Sequence, residues 1–277
     1  MNRRHRLWRH VVSALLYCLP AVACAQSPLI QEVVDRVDRD SLVNTVRVLT
    51  GETGSTHGGT SDTIYSRFEQ AGTHGLATDY LKMKLESYGL STRLQPYTLW
   101  SFIGTNVLAE QRGTVTPGRV YILCAHYDSY SGSPDVAPGA DDNASGCAAV
   151  LEAARVLSRY KTACTVLYAL WDEEESGRIG SLYYLKDSLD RQDTIMGAVN
   201  LDMIGYDGNG DSLMEIHAQN VANSGALADT AALVQRLYGV GLKTRVYYPT
   251  GNGQSDHGAF WMLGYGAIMI IEALRNG

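Results

Sequence analysis

The chain has 277 residues, 45 % of them apolar, and a formal charge of −6; its length supports one sizeable core, and one large α/β domain is as plausible as two small ones. That acidic balance argues against a nucleic-acid surface. No repeat with a period of roughly 20–50 residues, low-complexity tract or long Pro/Ser linker marks an internal boundary.

Residues 1–25 read as a cleaved signal peptide. MNRRHRLWRH is basic, VVSALLYCLPAVA is apolar but short for a bilayer span, and Ala23-Cys24-Ala25 supplies a small-x-small pattern before Gln26. A lipoprotein site ending at Cys24 is disfavoured, because Ala21 stands where Leu is expected. The expected location is therefore secreted or periplasmic, with residues 26–277 as one domain. Cleavage removes four arginines and no acid, leaving 19 basic against 29 acidic residues and a formal charge of −10. Three cysteines remain, Cys124, Cys147 and Cys164, and an odd count argues against a full disulfide framework. Buried thiols are the preferred reading, with a Cys124–Cys164 bridge as an open alternative.

Ile30, Val33, Val34, Val37, Leu42 and Val46 predict a helix over residues 29–49, and GETGSTHGGTSD predicts a loop. A second helix is expected from Thr78 to Tyr88, ended by Gly89. STRLQPYTLW, TNVLAEQRG and RVYILCAHYDS read as strands, the last apolar enough to be buried on both faces. Ser145–Tyr160 reads as helix, Val166–Trp171 as a buried strand and Gly180–Leu189 as helix. MGAVNLDMIG and SLMEIHAQ are strand-like, Ala226–Tyr238 helical, TRVYYP a strand, HGAFWML a short helix and GAIMIIEA a strand. This alternation predicts an α/β three-layer sandwich, a mostly parallel mixed sheet flanked by helices. Ligands of such folds bind at the carboxyl ends of the strands.

Those strand ends collect the chemistry. RVYILCA is followed by His126-Tyr127-Asp128, the next loop holds Asp141 and Asp142 before a helix, TVLYALW runs into Asp172-Glu173-Glu174-Glu175, and GAVNL precedes Asp202. So many carboxylates cannot stay ionised side by side without a cation among them. One His plus carboxylates is an N/O ligand set suited to Zn²⁺. His126 and Asp128 are spaced to share one strand face, so Asp128 is placed to accept the second imidazole N–H. Asn143-Ala-Ser145 matches a glycosylation sequon but stands at a helix start.

AHYDS, PGADDNASG, DEEESGRIGS and NLDMIGYD, in that order, resemble metallopeptidase family 28, the secreted di-zinc aminopeptidases. The similarity covers most of residues 74–272, and AGTHGLATDYLKMKLESYGL resembles that family's first helix. The resemblance implies that His126 and Asp202 bind one zinc and that Asp141 bridges two, with a cis peptide between Asp141 and Asp142. Registered on EExGxxGS, Glu174 is implied as the general base and Glu175 as a ligand of the second zinc, with Asp172 and Glu173 of lesser importance. Asp142 and Asp256 are placed as outer residues, and Met203, His257 and Met269 as pocket residues that suggest large apolar N-terminal side chains. The implied partners are peptides with a free N-terminus.

The family's last zinc ligand, a His in a tyrosine-rich motif after the strand GAIMIIEAL, falls past Gly277. The expectation is a zinc-peptidase catalytic domain truncated at its C-terminus, with ligands for one metal and only Asp141 and Glu175 for the other. His257 in Gln254-Ser-Asp-His257 is an exposed-looking candidate to fill that gap. Two other functions stay open: a single-zinc glutaminyl-peptide cyclase, which the DDNASG pattern disfavours, and a truncated, inactive binding domain.

Overall fold

The computed structural model describes residues 26–57, 60–191, 194–239 and 241–272; the expected signal peptide lies outside the described residues. The helix expected over 29–49 is two, α1 (Pro28–Asp35) and α2 (Arg39–Leu49). Asp38 makes the break, because its carboxylate accepts the N–H groups of Asp40 at 2.9 Å and Ser41 at 3.4 Å as the cap of α2. α2 buries Thr45, Val48 and Leu49, whereas α1 buries nothing. The expected loop carries a short ladder, β1 (Ser55–His57) against β2 (Thr60–Asp62).

Helix α3 (His74–Ser87) is followed by Gly89 at φ 78°, a left-handed position that favours glycine. The β3 (Ser91–Leu99) and β4 (Phe102–Gln111) hairpin leads to β5 (Thr116–His126), α4 (Gly146–Leu157) and β6 (Cys164–Trp171). Next come α5 (Ile179–Arg191), β7 (Thr194–Leu201), β8 (Leu213–His217) and α6 (Ser224–Tyr238). The last elements are β9 (Lys243–Tyr247), α7 (His257–Met262) and β10 (Ala267–Glu272).

The main sheet has the order β3-β4-β6-β5-β7-β10-β8-β9. Its centre, β6-β5-β7-β10, is parallel. The β3-β4-β6 side is antiparallel, and β8 and β9 run parallel to each other but against β10. The expected mixed α/β sheet is therefore present. Side chains alternate across it. Tyr168 and Leu170 of β6 pack with α2, α3 and α4, while Leu167, Ala169 and Trp171 pack with Tyr184 and Leu185 of α5 and Phe260 and Trp261 of α7. A further cluster joins α6 to β8 and β10. Leu151 and Leu170 are each at most 1 % exposed, and each burial contributes about 1.5–3 kcal/mol. Cys124, Cys147 and Cys164 are free thiols, so the Cys124–Cys164 alternative is not realised. Among the described residues no helix is long and apolar enough to cross a membrane.

Candidate metal centre

β5, β6 and β7 are parallel and nearly level: His126 pairs with Trp171, and Cys124 with Asn200. Their carboxyl ends therefore bring His126, the acid run after Trp171 and Asp202 to one edge. His126 is 1 % exposed. Its Nδ1 faces Asp128, 3.2 Å from the carbonyl and 3.4 Å from Oδ1. Its Nε2 faces two other acids, Asp142 Oδ1 at 3.2 Å and Asp202 Oδ1 at 3.5 Å. A tetrahedral zinc with ligands about 2.1 Å away would separate neighbouring donors by about 3.4 Å. The three residues thus fit one ion, and their donor atoms all lie within 4.8 Å of one another. Asp202 Oδ1 adds an independent sign, because it is buried and takes no hydrogen bond.

Charge agrees with geometry. Burial disfavours the His126 imidazolium, but Asp128, Asp142 and Asp202 outweigh it and raise its pKa well above the ordinary value. Carboxylates that face both ring nitrogens make a site that favours positive charge. Burial likewise pushes Asp202 up, but His126 and Ser255 outweigh it and hold the carboxyl below its usual range.

The acid run does not act as one cluster. Asp172 is buried, with Oδ2 accepting Thr105 N–H at 2.8 Å and Oδ1 3.1 Å from His74 Nε2. Glu173, at φ 56°, turns the chain and accepts the Tyr97 hydroxyl at 3.4 Å; burial, then Asp172, raises it to about 7. Asp172 and Glu173, expected to matter little, are thus bonded supports of the turn. Asp128 fixes the next two residues, its Oδ1 accepting Glu174 N–H at 3.1 Å and its Oδ2 Glu175 N–H at 3.0 Å. Burial, with Asp256, Asp202 and Asp128 adding and His126 opposing, raises Glu174 to about 9. Burial and Asp142 raise Glu175 to about 7. The two carboxyls are thus shifted in opposite directions, Asp202 down and Glu174 up.

The stretch before α4 corrects the expected register. The cis peptide joins Asp142 to Asn143, not Asp141 to Asp142. Asn143 anchors the turn, donating from Nδ2 to Leu201 O at 2.9 Å and accepting Gly146 N–H at 2.9 Å. Successive side chains leave on opposite sides. Asp142 therefore reaches His126, while Asp141 turns away and accepts Gly205 N–H at 2.7 Å. Asp142 takes the position expected of Asp141, and Asp141 supports the loop after Asp202. Adjacent acids carry no local signal of which one turns inward; Asn143, tied to Leu201, is the fixed point from which to count.

The other expected residues lie deeper. His257 looked exposed in sequence but is 0 % exposed, with Nε2 2.6 Å from Asn252 O and its ring edge-on to Trp261 at 4.5 Å. Burial lowers it to about 4, so it is neutral at pH 7, and it lies outside the His126–Asp142–Asp202 set. Asp256 is also fully buried, both oxygens lack hydrogen-bond partners, and burial raises it to about 7. Met203 stands at φ 51°, partly buried after Asp202. Met269 is 3 % exposed in β10 between Asn200 and His217, a core position. Arg67, fully buried beneath these loops, had no sequence signal separating it from a surface arginine.

Comparison with known proteins finds relatives in sequence and in fold. A "Probable zinc metalloprotease" of Pyrenophora teres f. teres is 29 % identical over 195 residues, covering 64 % of this chain and 41 % of its own. "Leucine aminopeptidase 2" of Trichophyton equinum is 34 % identical over 167 residues, covering 56 % of this chain and 31 % of its own. The chain thus spans less than half the length of the curated relatives it matches. Two solved structures share the fold. The LapA aminopeptidase of Legionella pneumophila has a TM-score of 0.72 at 20 % identity, covering 88 % of this chain and 64 % of its own. The glutaminyl cyclase of Porphyromonas gingivalis has a TM-score of 0.65 at 21 % identity, covering 87 % and 86 %. The profile of Peptidase family M28 matches residues 106–276, which include every residue of the His126–Asp142–Asp202 cluster and the acid turn: the chain belongs to Peptidase family M28.

Proposed function

We propose that the protein is a zinc-dependent aminopeptidase that removes N-terminal residues from peptides. The observation that carries this reading is the His126–Asp142–Asp202 set, buried at His126 and Asp202, with an Asp202 Oδ1 that takes no hydrogen bond, beside the acid turn that holds Glu174 and Glu175. Zinc bound there lowers the pKa of a water molecule towards neutrality and polarises the peptide carbonyl.

This chain's residues supply the rest. Asp128 faces His126 Nδ1, which leaves Nε2 for the metal, and through two backbone N–H groups it holds the acid turn at a fixed place. Glu174, fixed by the bond from its N–H to Asp128, would accept a proton from the attacking water once the metal's charge keeps it ionised, and would return that proton to the leaving amine. Asp142 adds to the cost of charging Glu175, and the two would contribute to a second, less completely furnished metal position. Surplus carboxylate charge at the site favours a substrate's free ammonium group, which makes cleavage at the N-terminus the natural outcome. The signal peptide expected in residues 1–25 would carry this chemistry outside the cytoplasm.

A single fully furnished set also suits the glutaminyl-peptide cyclase reading, favoured by the shared fold of the Porphyromonas gingivalis enzyme. One experiment separates the readings. Zinc per chain is measured by elemental analysis after dialysis, together with release of chromophore from leucyl anilide and of ammonia from Gln-initiated peptides. Bound zinc with anilide hydrolysis supports the aminopeptidase. Bound zinc with ammonia release supports the cyclase. Zinc near zero and neither product would leave a binding domain.

A further inference from the structure

Arg67 is 0 % exposed, and among the described residues its guanidinium makes no ion pair. It donates instead to four backbone carbonyls: Nε to Tyr127 at 2.7 Å, Nη1 to Leu49 and to Pro138 at 2.6 Å each, and Nη2 to Gly139 at 2.9 Å. Its own backbone is tied to the same region, with Arg67 N–H donating to Ser129 Oγ at 3.2 Å and Arg67 O accepting Ser129 N–H at 3.2 Å. These carbonyls are not scattered. Tyr127 is the residue between His126 and Asp128, and Pro138-Gly139 lead into the turn that presents Asp142. One planar cation therefore joins the strand-end loop that carries His126 to the loop that carries Asp142.

The fit is close. Gly139 stands at φ 48°, and a Cβ added there would meet Asp142 O at 2.2 Å and Arg67 Nη2 at 2.8 Å, so no other residue lets the guanidinium and the turn approach as they do. A buried charge is costly unless its donors are satisfied, and charge-assisted bonds to four carbonyls supply that satisfaction. The charge also faces Asp128, Asp142 and Glu175 through the protein interior, where it partly balances the carboxylates around His126. Lysine could not reproduce the fork, because its ammonium is a point donor rather than a planar set.

We propose that Arg67 is a positioning residue of the metal centre, holding the His126 and Asp142 loops at the separation that one ion requires. This rests on the metal-centre reading given above. Outer residues of this kind are worth roughly 10–100-fold in metal affinity. The test is zinc affinity by chelator competition on the full folded chain, for wild type, Arg67→Met, Arg67→Lys and Leu85→Ala. Leu85 is a fully buried α3 residue with no part in the site. Thermal unfolding and far-UV circular dichroism are recorded for each.

The expected result is a dissociation constant raised roughly 10–100-fold in Arg67→Met, partly recovered in Arg67→Lys, and unchanged in Leu85→Ala despite its lower Tm. The cobalt-loaded Arg67→Met protein should also show a shifted d–d spectrum, a change that loss of stability alone does not cause. If Arg67→Met fails to fold, Arg67→Lys carries the comparison. Wild-type affinity and spectrum in a folded Arg67 variant would overturn the proposal, and so would an equal loss in Leu85→Ala. Failure of the wild-type chain to bind zinc would overturn the metal-centre reading itself, and is read directly from the first sample.

Discussion

Among the described residues acids gather with metal-like spacing in two places, and the two differ in what their oxygens are left to bind. Beside His126, Asp202 Oδ1 is buried without a hydrogen bond, and Asp142 reaches the same imidazole nitrogen. Further along the same loop, Asp207 and Asp211 meet near Glu272 with an equally suggestive spacing. There the oxygens are already used. Asp207 accepts the N–H groups of Gly210 at 2.8 Å, Asp211 at 3.2 Å and Ser212 at 3.0 Å, and Asp211 accepts Leu213 N–H at 2.8 Å. The first cluster is short of positive charge. The second is a turn whose acids cap backbone donors. Between these two clusters the difference lies in the acceptor left over after local bonds are counted, not in the number of acids.

The sharpest way to break this contrast is to remove one acid from each cluster. Asp202→Ala should weaken zinc binding by more than the roughly 10–100-fold typical of an outer partner, whereas Asp207→Ala should leave zinc per chain unchanged. Chelator competition on the two proteins reads both, and equal losses would erase the distinction. Next in size is Glu174→Gln, which removes a proton acceptor but no ligand. We expect zinc content at the wild-type level and kcat lowered by roughly 10²–10⁴; near-normal turnover would move the acid–base role elsewhere. Asp128→Asn keeps its shape but loses an acceptor for His126 or for the Glu174 and Glu175 amides, so zinc affinity should fall roughly 10–100-fold. A metal titration that matches wild type would show the support to be dispensable. Asp207→Ala should lower unfolding free energy by about 1 kcal/mol, the value of a capping interaction, measured in urea.

The smallest effect concerns a third kind of acid, one neutralised by a fixed partner. Glu152, 3 % exposed, accepts Asp38 N–H at 2.6 Å and Arg155 Nε at 2.8 Å. Burial alone would raise its pKa, but the bonds from Arg155 and Asp38 outweigh it and hold the carboxyl below its ordinary value. A depressed pKa stabilises the fold fully above the unfolded value, about 4.5, and that stability is lost as pH falls through the lower folded value. Tm measured against pH should therefore drop less steeply below about pH 4.5 in Glu152→Gln than in wild type. Parallel curves would remove Glu152 from the acid limb.

Much of this was legible in the sequence. The order of strands and helices followed from periodicity, and His126, the acid run and Asp202 were visible because each follows a buried strand. What stayed hidden depends on contacts made across long stretches of chain. Asp141 and Asp142 differ only in which one turns inward, and that is decided by Asn143 on Leu201 O and by Asp141 on Gly205 N–H. His257 reads as a loop residue until Asn252 and Trp261 close over it. Arg67 sits in a stretch with no motif, and its four acceptors come from three separate segments. The single helix read over residues 29–49 failed for a local reason instead, since Asp38 capped a new helix inside an otherwise continuous apolar stripe.

The parallel pairing of β5 with β7 also sets a condition. His126 and Asp202 lie at the ends of two neighbouring strands that β6 and α5 separate in sequence. Until β7 docks there is no shared edge, and the three donors belong to a chain with no cage. A zinc ion held by all three donors would therefore depend on the docked sheet. Zinc release on heating or in denaturant should accordingly coincide with loss of the whole sheet, which makes the bound ion a built-in reporter of the completed fold.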